Sequence, residues 1–113
     1  MPGFASTIVV FDGAMGTSLD TLGLSLADYE GRPGCNEILT RTRPDAILGI
    51  HDAFLAVGCL VIKTNTFGAN RVSLAEHRLA DEAFDLNRQA AVLARQSADR
   101  YRPSDRPRFV AGD

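Results

Sequence analysis

Hydrophobic positions in this chain follow two patterns. Short unbroken apolar runs, Ile8-Val9-Val10-Phe11 and Cys59-Leu60-Val61-Ile62, with a third beginning at Arg108-Phe109-Val110-Ala111, alternate with longer stretches where apolar residues recur every three or four positions. Short runs without polar interruption suit strands covered on both faces, as in a parallel sheet flanked by helices. Between the runs, Ile47, Ile50, Phe54 and Val57 mark one face of a helix ending near Val57. Thr42 is its expected cap, Pro44 and Asp45 suit its first turn, and Gly58 its stop. Leu79, Ala83, Leu86, Ala90 and Leu93 mark the inner face of the longest helix, from Ala80 to about Tyr101. Ser73-Leu74-Ala75-Glu76 matches a capping box before a short helical turn. Leu19 to Gly34 reads as a short helix followed by a loop with packing of its own, and Arg102 to Pro107 as a connector.

Strand, helix, strand, helix, strand predicts an α/β fold with crossover connections and a parallel sheet. In such a sheet the carboxyl ends of the strands lie along one rim, where ligands bind in barrels and open sheets alike. That rim collects Asp12, then Lys63, Thr64, Asn65 and Thr66, then Asp113.

The loop Asp12-Gly13-Ala14-Met15-Gly16-Thr17 brings a carboxylate beside backbone amides. Gly13 and Gly16 allow the turn, and Thr17 and Ser18 are expected to cap a short helix after it. One carboxylate next to several amides suits a zwitterion: ammonium to Asp12, carboxylate to the amides. An isolated Asp-Gly pair is more often a simple turn, so this reading depends on the later segments.

Composition narrows the field rather than choosing within it. A net charge of -2, with eleven arginines scattered or set beside acidic neighbours, gives no basic stripe for nucleic acid. No apolar run is long enough to span a bilayer, and Met1 to Ser6 does not resemble a signal peptide, so the expected location is cytoplasmic, with no membrane partner. Cys35 and Cys59 lack zinc or redox spacing and are expected to be free thiols, Cys59 buried. His51 and His77 are isolated and read as surface or packing residues. The arginines near the C-terminus read as solvated helix face and connector.

Three separated segments resemble the homocysteine S-methyltransferase family: Asp12 to Thr17, Cys35-Asn36-Glu37-Ile38-Leu39 with Thr42-Arg43-Pro44-Asp45, and Thr64-Asn65-Thr66-Phe67-Gly68-Ala69-Asn70. The likeness runs from about Ile8 to Gly112 and is greatest to the homocysteine-binding module of cobalamin-dependent methionine synthases. It implies that residues 1–113 are a partial homocysteine-binding domain, the N-terminal portion of a (β/α)8 TIM barrel: about two βα units plus a third parallel strand. By the same resemblance, Asp12, Gly13, Ala14, Thr64, Asn65, Thr66 and Phe67 bind L-homocysteine. Zinc and cobalamin are the cofactors it implies, with the zinc-ligand cysteines on later strands of the barrel. No metal ligand or catalytic residue is therefore assigned in this chain, and transfer of a methyl group to homocysteine sulfur would need the remaining barrel half and the cobalamin and folate modules.

Lys63 departs from the family, where methionine synthases carry Glu and the betaine-dependent branch Gln. It inverts a charge on the rim. Two alternatives accompany the methyltransferase reading: a non-catalytic fragment that self-associates or complements another chain, down to a gene remnant without function, and a Schiff-base barrel enzyme using Lys63.

Overall fold

A computed structural model describes residues 9–101 and 107–113. It is α/β. In chain order come α1 (Met15–Asp20), a 3-10 turn (Asn36–Ile38) running into α2 (Leu39–Thr42), α3 (Pro44–Ala56) and β1 (Val61–Lys63). Then follow α4 (Arg71–Ala75), a 3-10 turn (Ala80–Glu82), α5 (Ala83–Tyr101) and β2 (Phe109–Ala111). β1 and β2 pair in parallel, Val61 opposite Phe109 and Lys63 opposite Ala111. On the other side of β1, Phe11 forms a parallel bridge to Val61, with Leu60 donating to the Val10 carbonyl and Asp12 to that of Val61. The three expected strands are thus present side by side, although the first is reduced to this bridge. Ile8, and the Arg102 to Arg106 part of the connector, lie outside the described residues.

The helices form because their apolar stripes meet. α5 places Ala90, Ala94, Ser97 and Ala98 on one buried face, and these small side chains let α3 come close. Ile62 of β1 is fully buried in a cluster with Leu55, Ala94 and Ala98. A second cluster joins Leu19, Leu39, Ile47, Ile50 and Leu93. A third joins Cys35, Ile38, Leu74, Leu79 and Leu86, so that the loop after α1 is tied to the start of α5. Asp52 of α3 and Arg100 of α5 add an ion pair at 2.6 Å.

Several expectations need correction. Val10 and Phe11 are 47% and 51% exposed rather than buried on both faces. The register sets Phe11, Val61 and Phe109 in one row on the face opposite Ile62, and the two long helices pack on the Ile62 side only. Val61, central in that row, is nonetheless buried, so the open sheet uncovers its flanks more than its middle. In α3 the buried stripe is Ile47, Ile50, His51 and Leu55, while Val57 is 80% exposed. Phe54 packs against the cluster that holds Ile47 and Ile50, so the expected stripe holds as far as Phe54, and His51 is the fully buried polar member of the helix.

Side-chain caps also moved. Thr42 closes α2 and donates its hydroxyl to the Asp28 carbonyl, leaving Arg43 at the cap position of α3. Thr17 and Ser18 lie inside α1, whose cap residue is Ala14. Ser73 is not a cap but the third residue of α4, where its amide donates to Asn70 Oδ1 at 2.8 Å. Gly58, at φ +107°, does end α3 as expected, since its amide and that of Cys59 turn back to Leu55 and Phe54.

Candidate functional site

The carboxyl ends of Phe11, β1 and β2 open onto a cleft of about 530 Å³. Asp12, Gly13, Ala14, Thr64, Asn65, Thr66 and Phe67, expected from the sequence, all line it, as do Lys63 and Asp113. Four of them, Asp12, Thr64, Asn65 and Thr66, are buried. Phe67 is 84% exposed at the lip.

Asp12 forms the floor. Its Oδ2 accepts the Lys63 amide at 3.1 Å, while Oδ1 is buried without a hydrogen-bond partner and faces Lys63 Nζ at 3.9 Å. Burial pushes the carboxyl pKa up. The Lys63 amide and ammonium oppose that rise, and the charge of Asp113 adds to it. A buried carboxylate oxygen with unused acceptor capacity gains from an ammonium ligand.

Thr64 and Thr66 share a 2.7 Å hydroxyl contact, and Thr66 also donates to the Asp113 carbonyl. The Asp113 amide in turn donates to Thr64 Oγ1, so the two hydroxyls clamp the end of β2 to the loop after β1. Asn65 turns its amide into the protein, donating to the Asn36 carbonyl at 2.9 Å and to Thr40 Oγ1. It therefore braces the cleft wall from behind.

Glu37 is a part of this wall to which sequence reasoning assigned no role. Its carboxylate accepts the Gly68 amide at 3.0 Å, and a Cβ at Gly68 would meet the two carboxylate oxygens at 3.2 Å. Asn87 of α5 likewise donates to the Ala69 carbonyl at 2.7 Å. The Cys35 to Leu39 segment signalled that something was held there, but its contact with residues 65–68 is invisible in one dimension. Gly13 serves close approach rather than unusual backbone: a Cβ there would sit 3.1 Å from the Phe54 ring, and its φ is not among the positive ones.

A larger apolar groove of about 790 Å³ runs between α1 and α3, past Leu22, Ile50, Phe54 and Val57. Its charged members, Arg43 and Asp45, are paired with each other at 2.9 Å, and the hydroxyls of Ser18 and Thr21 on its wall donate to the Ala14 and Ser18 carbonyls. Buried polar side chains gather instead in the smaller cleft.

Zinc, implied by the resemblance, does not fit the donors present. Among the described residues no three His, Cys, Asp or Glu side chains converge on a metal position. Cys35 and Cys59 belong to separate parts of the core, and burial pushes both thiols up, away from the thiolate a metal needs. A nucleophilic lysine is also poorly matched, because Lys63 is a third exposed and stands beside a carboxylate rather than in an apolar pocket. No helix among the described residues is long and apolar enough to cross a membrane.

Comparison with known proteins adds an independent line. The family model described as homocysteine S-methyltransferase matches residues 9–113. Methionine synthase of Mycobacterium leprae (strain TN) is 43% identical over 108 residues, 96% of this chain and 9% of that protein. Methionine synthase of Mycobacterium tuberculosis (strain ATCC 25618 / H37Rv) is 43% identical over 105 residues, 93% of this chain and 9% of that protein. The chain thus spans about a tenth of the length of these curated relatives. In fold it is similar to the crystal structure of the homocysteine methyltransferase MmuM from Escherichia coli in its oxidized form. The TM-score is 0.79 at 24% identity, covering 96% of this chain and 38% of the other. The metallated form of the same protein gives 0.77 with the same coverage.

Proposed function

Because this chain belongs to the homocysteine S-methyltransferase family, we propose that its cleft is the amino-acid half of a homocysteine site. The ammonium of L-homocysteine sits on Asp12, and its carboxylate lies against the backbone amides of the Gly13–Ala14 loop. Thr64 and Thr66 fix the rim, and the exposed Phe67 walls the lip. The observation that carries this reading is the buried Oδ1 of Asp12 at the cleft floor, which has no hydrogen bond.

In this reading residues 1–113 supply two βα units and the third strand of a (β/α)8 barrel, consistent with covering 38% of a structural neighbour. The substrate amino acid is held here, and its sulfur is presented to chemistry housed elsewhere in the barrel, where methyl transfer would give methionine. A zinc ion in that missing part would lower the thiol pKa and keep the sulfur nucleophilic. Cobalamin and folate modules would supply the methyl group. Alone, the chain binds without catalysing.

Calorimetric titration with L-homocysteine, with and without zinc, tests this directly. Zinc-independent binding that disappears in Asp12→Ala is the expected result. Absence of binding in both conditions would remove the amino-acid site from this chain.

A second reading concerns the chain by itself and is favoured by the exposure of Val10 and Phe11 on an unfinished sheet. A strand edge beside exposed apolar side chains templates association with another copy or a complementary chain.

A further inference from the structure

Lys63 is the only lysine in the chain. Its position at the end of β1 sends its ammonium back to a buried carboxylate oxygen that has no hydrogen bond, Asp12 Oδ1, at 3.9 Å. The Asp12 side chain is 4% exposed and that of Lys63 34%, so the pair has a fixed buried anion and a cation free to swing towards solvent. A contact at 3.9 Å is charge without a close hydrogen bond. It neutralises Asp12 while leaving the oxygen open to a better donor.

We propose that Lys63 is a resident cation on the ammonium subsite, a specificity-determining residue that an incoming amino group must displace from Asp12. This rests on the amino-acid reading above. A ligand ammonium and Lys63 Nζ carry the same charge and cannot both sit within contact distance of Oδ1 without mutual repulsion. Binding a zwitterion therefore has three parts: Lys63 leaves Oδ1, the substrate ammonium takes its place, and the displaced lysine extends from the cleft. A ligand that has the carboxylate and thiol but no amino group leaves Lys63 where it is. Lys63 thereby lowers affinity for amino acids relative to their des-amino analogues.

Substitution and a direct spectroscopic probe test the displacement. Lys63→Gln removes the cation, and Lys63→Arg keeps one. Calorimetry with L-homocysteine and with 4-mercaptobutanoate, its des-amino analogue, should show homocysteine binding at least fivefold tighter in Lys63→Gln than in the unsubstituted chain, with Lys63→Arg like the parent and 4-mercaptobutanoate no tighter. In the unsubstituted chain, reductive 13C-methylation labels one lysine side chain, which keeps its charge. Its methyl resonance should move on adding homocysteine and stay in place with the des-amino analogue. Equal homocysteine affinity in parent and Lys63→Gln overturns the competition and leaves the amino-acid site standing. Equal tightening for both ligands overturns it in favour of a steric effect. Failure of both proteins to bind homocysteine overturns the site itself, and the competition with it.

Discussion

Asp12 carries a burial cost at neutral pH that Lys63 offsets only in part. Its carboxyl is buried and its pKa raised by that burial, so the fold favours the protonated form, and its contribution to stability grows as pH falls. Asp12→Asn keeps an oxygen for the Lys63 amide and removes the buried charge. The expected outcome at pH 7 is a melting temperature equal to or above that of the parent, with homocysteine affinity reduced at least tenfold. A large loss of stability would show that the carboxylate is structural. His51 works in the opposite direction. Fully buried, with neither ring nitrogen hydrogen-bonded, it has its pKa lowered by burial from an ordinary 6.5 to about 4. A depressed histidine contributes its full stability above pH 6.5 and loses it as pH falls towards 4, a change of about 3 kcal/mol for one group. Urea denaturation should therefore show stability falling over that window, with the slope much reduced in His51→Leu.

Individual elements are held by contacts between segments that the chain brings together late. The loop after β1 depends on Glu37 receiving the Gly68 amide, on Asn65 reaching Asn36 and Thr40, and on Asn87 holding Ala69. Removing the acceptor in Glu37→Ala should cost about 1–2 kcal/mol in chemical denaturation and loosen the Phe67 lip. The cap of α4 offers a cleaner comparison. Asn70→Ala should cost about 1 kcal/mol because Oδ1 holds the Ser73 amide. Ser73→Ala, which leaves that amide in place, should change stability by less than about 0.5 kcal/mol. The reverse order would restore Ser73 as the cap.

At the scale of the whole molecule, the three short parallel strand segments among the described residues leave Val10 and Phe11 exposed on the first of them. The chain alone is expected to sediment as oligomers, and Val10→Lys, a charge placed beside the outer edge, should shift it towards monomer. A sharply monomeric species with a cooperative calorimetric transition would exclude this. In a longer barrel the same surfaces would be interior and neighbour-facing.

The order of apolar runs, the stop at Gly58, the inner face of α5 and the grouping of Asp12 with residues 63–66 were all legible in one dimension. Strand runs and helical periodicities are local, and parallel pairing then places strand ends together by topology alone. The caps at Thr42 and Ser73 were misread because several polar residues compete near each helix start, and tertiary contacts choose among them: Thr42 is drawn to the Asp28 carbonyl, and Asn70 takes the Ser73 amide. Of the expected α3 stripe, Ile47 and Ile50 are buried with Phe54 packed against them, while Leu55 meets Ala94 and Ala98 of α5 and Val57 stays exposed. The state of Asp12 lay furthest from view. Its burial, its bond to an amide 51 residues away and the lysine beside its open oxygen exist only once β1 lies against Phe11, because desolvation and charge pairing are properties of packed neighbours rather than of residue order.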